Sequence, residues 1–260
     1  LGPAHSGFRP LGSTRKDMIL NGITTDRLAN RKALLASFDQ FRRDTDASGT
    51  LQGVDAFTEQ AMGILTASHL AEALDLSNES EATRERYGTG NPKKFIDANG
   101  APRVPQSFLA ARRLIEAGVP ITQVTCSAGD LNGGKGDMWD THSDNFNRLK
   151  NNLLPVWDQG CSALLNDLQD RGMLDETLVV FLTEFGRTPK INGSAGRDHY
   201  PNVYSVALAG GGIRGGRIYG SSDTNGAYPR NNPCTPADLH ATIFNALGIH
   251  PNSEIHDLLG

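Results

Sequence analysis

The chain has 260 residues, 38% of them hydrophobic and 21% charged, with a formal net charge of −4. This composition is that of an ordinary soluble protein with one substantial core rather than a disordered chain. The slightly acidic balance offers no electrostatic footprint for nucleic acid or an anionic membrane, and no apolar run approaches the ~20 residues of a membrane-spanning helix. Cys126, Cys161 and Cys234 are far apart and form no C-x-x-C pair, which argues against a thiolate zinc site or a disulfide framework. The opening Leu1-Gly2-Pro3-Ala4-His5 lacks the basic and apolar stretches of an export signal, and Asp257-Leu258-Leu259-Gly260 stops abruptly. The chain therefore reads as a single partial domain, mainly helical over 1–120 and α/β over 121–260.

The first half is helical by pattern. Leu28, Leu34, Leu35, Phe38 and Phe41 recur at nearly helical spacing over 28–43. A second helix is expected over 54–74, with Asp55 near its N-cap and Phe57, Ala61, Ile64 and Leu65 on one face. Residues 77–87 read as a short charged helix opened by a serine cap. Loops follow over 87–92 and 97–105, and helix resumes over 106–117, closed by Gly118 and Pro120.

From there strands and helices alternate. Residues 121–126 are rich in β-branched side chains and predict a strand. A glycine-rich loop (Gly129, Gly133, Gly134, Gly136) leads to Trp139-Asp140-Thr141-His142. A long helix is expected over 143–171, interrupted at Pro155 and closed by Gly172. The apolar run 178–182 predicts a strand covered on both faces, as in a parallel sheet. A further strand is expected over 203–209, a small hairpin over 213–219, and a last helix over 236–247 with Thr235 as cap and Pro236 at the first position. Such alternation predicts an α/β fold with a largely parallel sheet.

Chemistry concentrates just past the predicted strands, where ligands bind in open α/β sheets. Asp140 and His142 follow the first strand, Thr183-Glu184-Phe185-Gly186-Arg187 follows the second, and Gly196-Arg197-Asp198-His199 precedes the third. Carboxylates and imidazoles drawn from three loops suit zinc, manganese or another divalent ion, with Asp140, His142, Glu184, Asp198 and His199 as candidate ligands. The plainer reading makes Asp140 a helix cap, His142 a satisfied histidine and the rest ordinary loop charges. Arg187 and Arg197 flank the acids. Either an arginine there grips an anionic ester bidentately or it pairs with Glu184 or Asp198.

These segments, W-D-T-H at 139–142, T-E-F-G-R-T-P at 183–189 and G-R-D-H-Y-P at 196–201, resemble the signatures of the family known as domain of unknown function 1501. The stretch Ala111–Val119 and the glycines at 210–212 are similar to that family too. The resemblance implies membership of the alkaline-phosphatase-like and sulfatase-like superfamily: an α/β/α sandwich with a largely parallel sheet, incomplete here at its N-terminus, and a two-metal site. It also implies bacterial export to the periplasm. By that likeness Asp140, His142 and His199 bind one metal, Glu184 lies where a second-metal carboxylate stands, and the nucleophile and first metal-binding aspartate belong upstream of this chain. Two departures are visible: Asp140-Thr141-His142 is tighter than the superfamily's Asp-x-x-x-His, and Glu184-Phe185 stands for its Asp-His.

Other signals compete. Asp44, Asp46 and Ser48, with Gly49 next and Asp55 in the last position, imitate a calcium loop, although a longer glutamate is normal in that position and a polar turn explains the same residues. Gly210–Gly216 lacks the lysine and hydroxyl of a phosphate loop. Neither Ser127 nor Ser205 sits in a G-x-S-x-G elbow. The expectation that results is part of a metal-dependent hydrolase-like protein, inactive by itself, whose substrate is a small phosphate or sulfate ester. The alternative is an exported, non-catalytic binding or scaffold protein with the same fold.

Overall fold

A computed structural model describes residues 27, 30, 68–88, 106–124, 139–250 and 252–254. Most of the helices expected over 28–43 and 54–74, the calcium-like loop from Asp44 to Asp55 and the glycine-rich loop before Trp139 lie outside the described residues.

Helix α1 (Ser68–Leu74) carries the last turns of the expected 54–74 helix. The charged helix α2 spans Glu81–Tyr87 rather than starting at Ser77. Two caps in succession explain the difference. Asp75 accepts a hydrogen bond from the Ser77 backbone and holds Leu76–Asn78 in a separate 3₁₀ turn, and Ser80 then caps α2 by accepting from the Thr83 backbone at 3.1 Å. Short polar side chains that bond nearby backbone break a helix as readily as they begin one.

Helix α3 (Gln106–Glu116) ends as its sequence predicts. Gly118 takes φ +90°, and the Val119 and Gly118 amides donate to the Leu114 and Ile115 carbonyls. This is the paired-bond terminus that favours glycine, with Val119 packed beside Leu114. The expected 143–171 helix begins as α4 (Asn145–Arg148), widens into a π-helical segment over Leu149–Leu153, and continues as α5 (Leu154–Asp170). Pro155 sits in the first turn of α5, and its missing N–H and bulky ring account for the widening before it.

The strands are short. In chain order they are β1 (Val179–Phe181), β2 (Gly186–Arg187), β3 (His199–Tyr200), β4 (Ala207–Ala209), β5 (Ser221–Ser222) and β6 (Pro229–Asn231). They pair as β1–β4, β2–β3 and β5–β6, all antiparallel. The largely parallel sheet expected from the sequence is not seen among the described residues. An apolar run such as 178–182 reports that a strand is covered, not which way its partner runs. Residues 121–124 form no strand, and Ile121 is 70% exposed. The expected hairpin over 213–219 occurs further on, where Asn225-Gly226 turns the chain between β5 and β6. There Asp223 accepts from the Ala227 amide, and its own amide donates to the Tyr228 carbonyl. An Asn-Gly pair is the stronger hairpin signal. Helix α6 (Pro236–Ala246) has the expected Thr235 cap, completed by Asp238 in a reciprocal box.

The main core lies between α2, α3, α5 and β1. Tyr87, Phe108, Leu109, Cys161, Leu164 and Leu168 form its buried centre, and Trp157, Val179 and Phe181 pack against it. Through this core runs a charged seam. The Arg112 side chain is fully buried, and its Nε and Nη2 face Asp167 and Glu79 at 2.9 and 2.7 Å as ion pairs without ideal hydrogen-bond alignment. Asp167 also accepts from Tyr87 Oη and Arg171 Nε, each at 2.8 Å. Burial and the carboxylate of Asp167 push the Tyr87 phenol well above its ordinary range. Among the described residues no helix is long and apolar enough to cross a membrane.

Candidate metal centre

Three loops come together because their backbones are laced to one another. The segment 139–145 is tied to 192–197: the Asp144 and Asn145 amides donate to the Ser194 and Ala195 carbonyls at 3.0 Å, and the Arg197 amide donates to Thr141 O at 3.1 Å. The segment 185–188 is tied to 198–200 by the β2–β3 pairing, which sets Arg187 opposite His199, and by the Thr188 amide on Asp198 O. The closest approach explains a glycine. A Cβ on Gly196 would stand 1.9 Å from the His142 carbonyl oxygen, so no side chain fits between the two loops. Thr141, between the two candidate ligands, is buried and donates its hydroxyl to Asn145 Oδ1, which braces the loop from inside.

On this framework Asp140, His142 and His199 meet at a point. His142 Nε2 and His199 Nε2 are 3.2 Å apart, and they lie 3.0 and 2.7 Å from Asp140 Oδ1. A divalent ion holding nitrogen and oxygen donors at about 2.0–2.2 Å in tetrahedral geometry spaces them about 3.3–3.5 Å apart. The triangle is slightly tighter than one face of such a tetrahedron, so the donor set fits zinc or a similar ion and leaves a fourth position open. All three side chains are exposed to solvent, so an ion has access.

The supporting contacts are specific. Asp198 Oδ1 accepts from His142 Nδ1 at 2.8 Å, on the ring edge away from the triangle. The ring of Phe185 lies 4.2 Å from that of His199 and steadies it. Arg187 Nη2 donates to Asp140 Oδ1 at 2.7 Å and to the Trp139 carbonyl at 2.9 Å, and Nη1 donates to the Arg197 carbonyl. Burial works to raise the Asp140 carboxyl, but hydrogen bonds from His199 and Arg187 and the Arg187 charge outweigh it and hold it down at about 2. Asp198 is likewise held below the usual carboxylate range, by its bonds with His142 and then Asn192. Both acids are charged at neutral pH.

The candidate residues thus separate into groups. Asp140, His142 and His199 converge. Asp198, expected as a ligand, holds the back of His142 instead. Glu184 is exposed on the turn between β1 and β2 and is not among the converging atoms; its neighbour Phe185 touches the cluster in its place. Arg187 spends its guanidinium on protein oxygens. Arg197 donates to the Thr188 carbonyl and stacks over Phe146, with 5.5 Å from its guanidinium carbon to the ring centre. Sequence reasoning passed over Asn192. Its Nδ2 donates to His142 O at 3.0 Å and Asp198 Oδ1 at 3.1 Å, while its Oδ1 accepts from the Ser194 and Gly196 amides. The signal for it was Asn192-Gly193, a turn pair between two candidate motifs.

A family model described as protein of unknown function (DUF1501) matches residues 1–260. No curated protein and no solved structure matches the chain.

Proposed function

From the premise that the chain belongs to the family of proteins of unknown function DUF1501, we propose that Asp140, His142 and His199 hold one divalent ion, zinc or manganese, in a hydrolase-type centre acting on small phosphate or sulfate esters. The observation that carries this reading is the triangle of two imidazole nitrogens and one carboxylate oxygen, with sides of 2.7, 3.0 and 3.2 Å. Such an ion, with an open coordination position, supplies Lewis-acid polarisation of an ester oxygen and a more acidic bound water.

The protein's own residues supply the rest. Asp140 is kept ionised by Arg187, so it presents a full negative charge to a cation. Asp198 engages His142 Nδ1, which leaves Nε2 directed at the triangle. The Arg187 charge beside Asp140 favours an anionic substrate over a neutral one through its field rather than by a free guanidinium edge. The ester class and export rest on the family resemblance alone.

A non-catalytic scaffold or binding protein is the second reading. It is favoured by Glu184, whose carboxylate is not among the ligand atoms that converge within the described residues. One experiment separates the two. Purified full-length protein is analysed for bound metal and titrated with zinc and manganese, then assayed on phosphate and sulfate monoesters. Stoichiometric metal that is lost in His142→Ala supports the centre, and ester turnover lost in the same variant supports the hydrolase. Metal without turnover favours the scaffold. No bound or titratable divalent ion overturns both the centre and the hydrolase.

A further inference from the structure

We propose that Asn192 is the positioning residue of this centre, fixing Asp198 and the His142 main chain so that His142 offers its Nε2 to a cation; this rests on the metal-centre reading above. The Asn192 side chain bonds both the ligand-bearing loop and the carboxylate behind the ligand. Its amide Nδ2 lies 3.0 Å from His142 O and 3.1 Å from Asp198 Oδ1. Its Oδ1, on the opposite side, accepts from the Ser194 and Gly196 amides at 2.9 Å each. One half of the amide therefore shapes the 192–196 turn, and the other half reaches across to the histidine.

The chemistry follows from which nitrogen carries the proton. A neutral imidazole has one N–H and one lone pair, and the partner of one nitrogen decides the state of the other. Asp198 accepts at Nδ1, at 2.8 Å. That bond is shorter than the 3.0 Å charge contact between Nε2 and Asp140 Oδ1, so it favours the proton on Nδ1 and leaves the lone pair on Nε2, where the triangle is. The carboxylate itself is exposed, and an exposed acid is free to turn toward water. Two groups hold it: the Thr188 hydroxyl, which accepts from the Asp198 backbone amide at 3.1 Å, and the Asn192 amide, which donates to the same Oδ1 that meets His142. Of the two, only Asn192 touches the carboxylate.

The two halves of the Asn192 amide can be separated by isosteric change. Asn192→Asp keeps an oxygen to accept from Ser194 and Gly196 but removes the donor to His142 O and Asp198. It also adds negative charge, which by itself attracts a cation more strongly, so a fall in affinity reports misplacement and not electrostatics. Asp198→Ala removes the acceptor at Nδ1, so that the proton is no longer held there and moves to Nε2, beside the Asp140 carboxylate. Zinc affinity is measured by competition with a chromophoric chelator. The tautomer of His142 is read by long-range proton–nitrogen NMR on zinc-free protein.

The expected result is a loss of zinc affinity of about ten- to a hundredfold in each variant, with melting temperature nearly unchanged. His142 is expected as the Nδ1–H tautomer in the wild type, with Nε2–H populated in Asp198→Ala and partly in Asn192→Asp. Variants that bind zinc as tightly as the wild type, or a wild-type His142 already protonated on Nε2, overturn the inference. If wild-type protein binds no zinc, the metal-centre reading falls, and the tautomer measurement still decides whether Asn192 and Asp198 orient His142.

Discussion

Asp140 Oδ1 accepts from His199 and Arg187 and lies 3.0 Å from His142 Nε2, and this crowding is tolerated because the acceptor is a full charge. The residues that deliver those donors were partly legible beforehand: the Asp-x-His spacing and the Arg-Asp-His run carry chemistry in their side chains. What stayed hidden depends on the backbone. The spacing of Glu184 and Phe185 along a turn does not say which of them faces inward, and Asn192 looks like any turn residue until its amide is seen to span two loops. Gly196 is the sharpest case, since its role is to be absent from the 1.9 Å approach to the His142 carbonyl. Gly196→Ala is therefore expected to cost about 1–3 kcal/mol by overpacking and to abolish zinc binding, because the contact that must give way is the backbone of a ligand. Denaturant unfolding together with a zinc titration checks both halves.

At the scale of elements, the helices of the described residues lie nearer their expected places than the strands do. Caps, proline and glycine act over a few residues, so α3, α5 and α6 are found close to where the sequence predicts them. Strand pairing is a long-range outcome, and neither the direction of β1–β4 nor the position of the β5–β6 hairpin follows from an apolar run. The charged seam joining α2, α3 and α5 was also invisible, because Arg112 and Asp167 are 55 positions apart in number and meet only after folding. Its members depend on one another. Asp167→Ala leaves the buried Arg112 charge short of a partner and Tyr87 Oη without its acceptor, and is expected to destabilise by about 3–5 kcal/mol. Replacing Asp170, whose contact with Arg86 is exposed, is expected to change stability by less than about 1 kcal/mol. Urea denaturation of the two variants side by side distinguishes them.

For the molecule as a whole, the acid limb of stability should follow this seam. Burial works to raise the carboxyls of Asp167 and Glu79, but hydrogen bonds and charge outweigh it and hold both below their ordinary values: Arg171, Tyr87 and Arg112 act on Asp167, and Arg112 and Arg113 act on Glu79. Groups depressed in the folded state contribute stability that is complete above their unfolded values, about 4, and is lost as pH falls through the folded values. The urea midpoint is thus expected to hold from neutral pH to about 5 and to fall steeply below about 4, with a shallower fall in Asp167→Asn. Among the described residues the helices accompany three small antiparallel ladders, and the parallel sheet that alternation suggests is not seen there. The meeting of Asp140 and His199 has a mechanical side as well. The two are 59 residues apart, so a cation gripping both is a removable staple across a long stretch of polypeptide. It would restrict the unfolded chain more than the folded one, and the protein's resistance to heat would then rise and fall with the supply of ions around it.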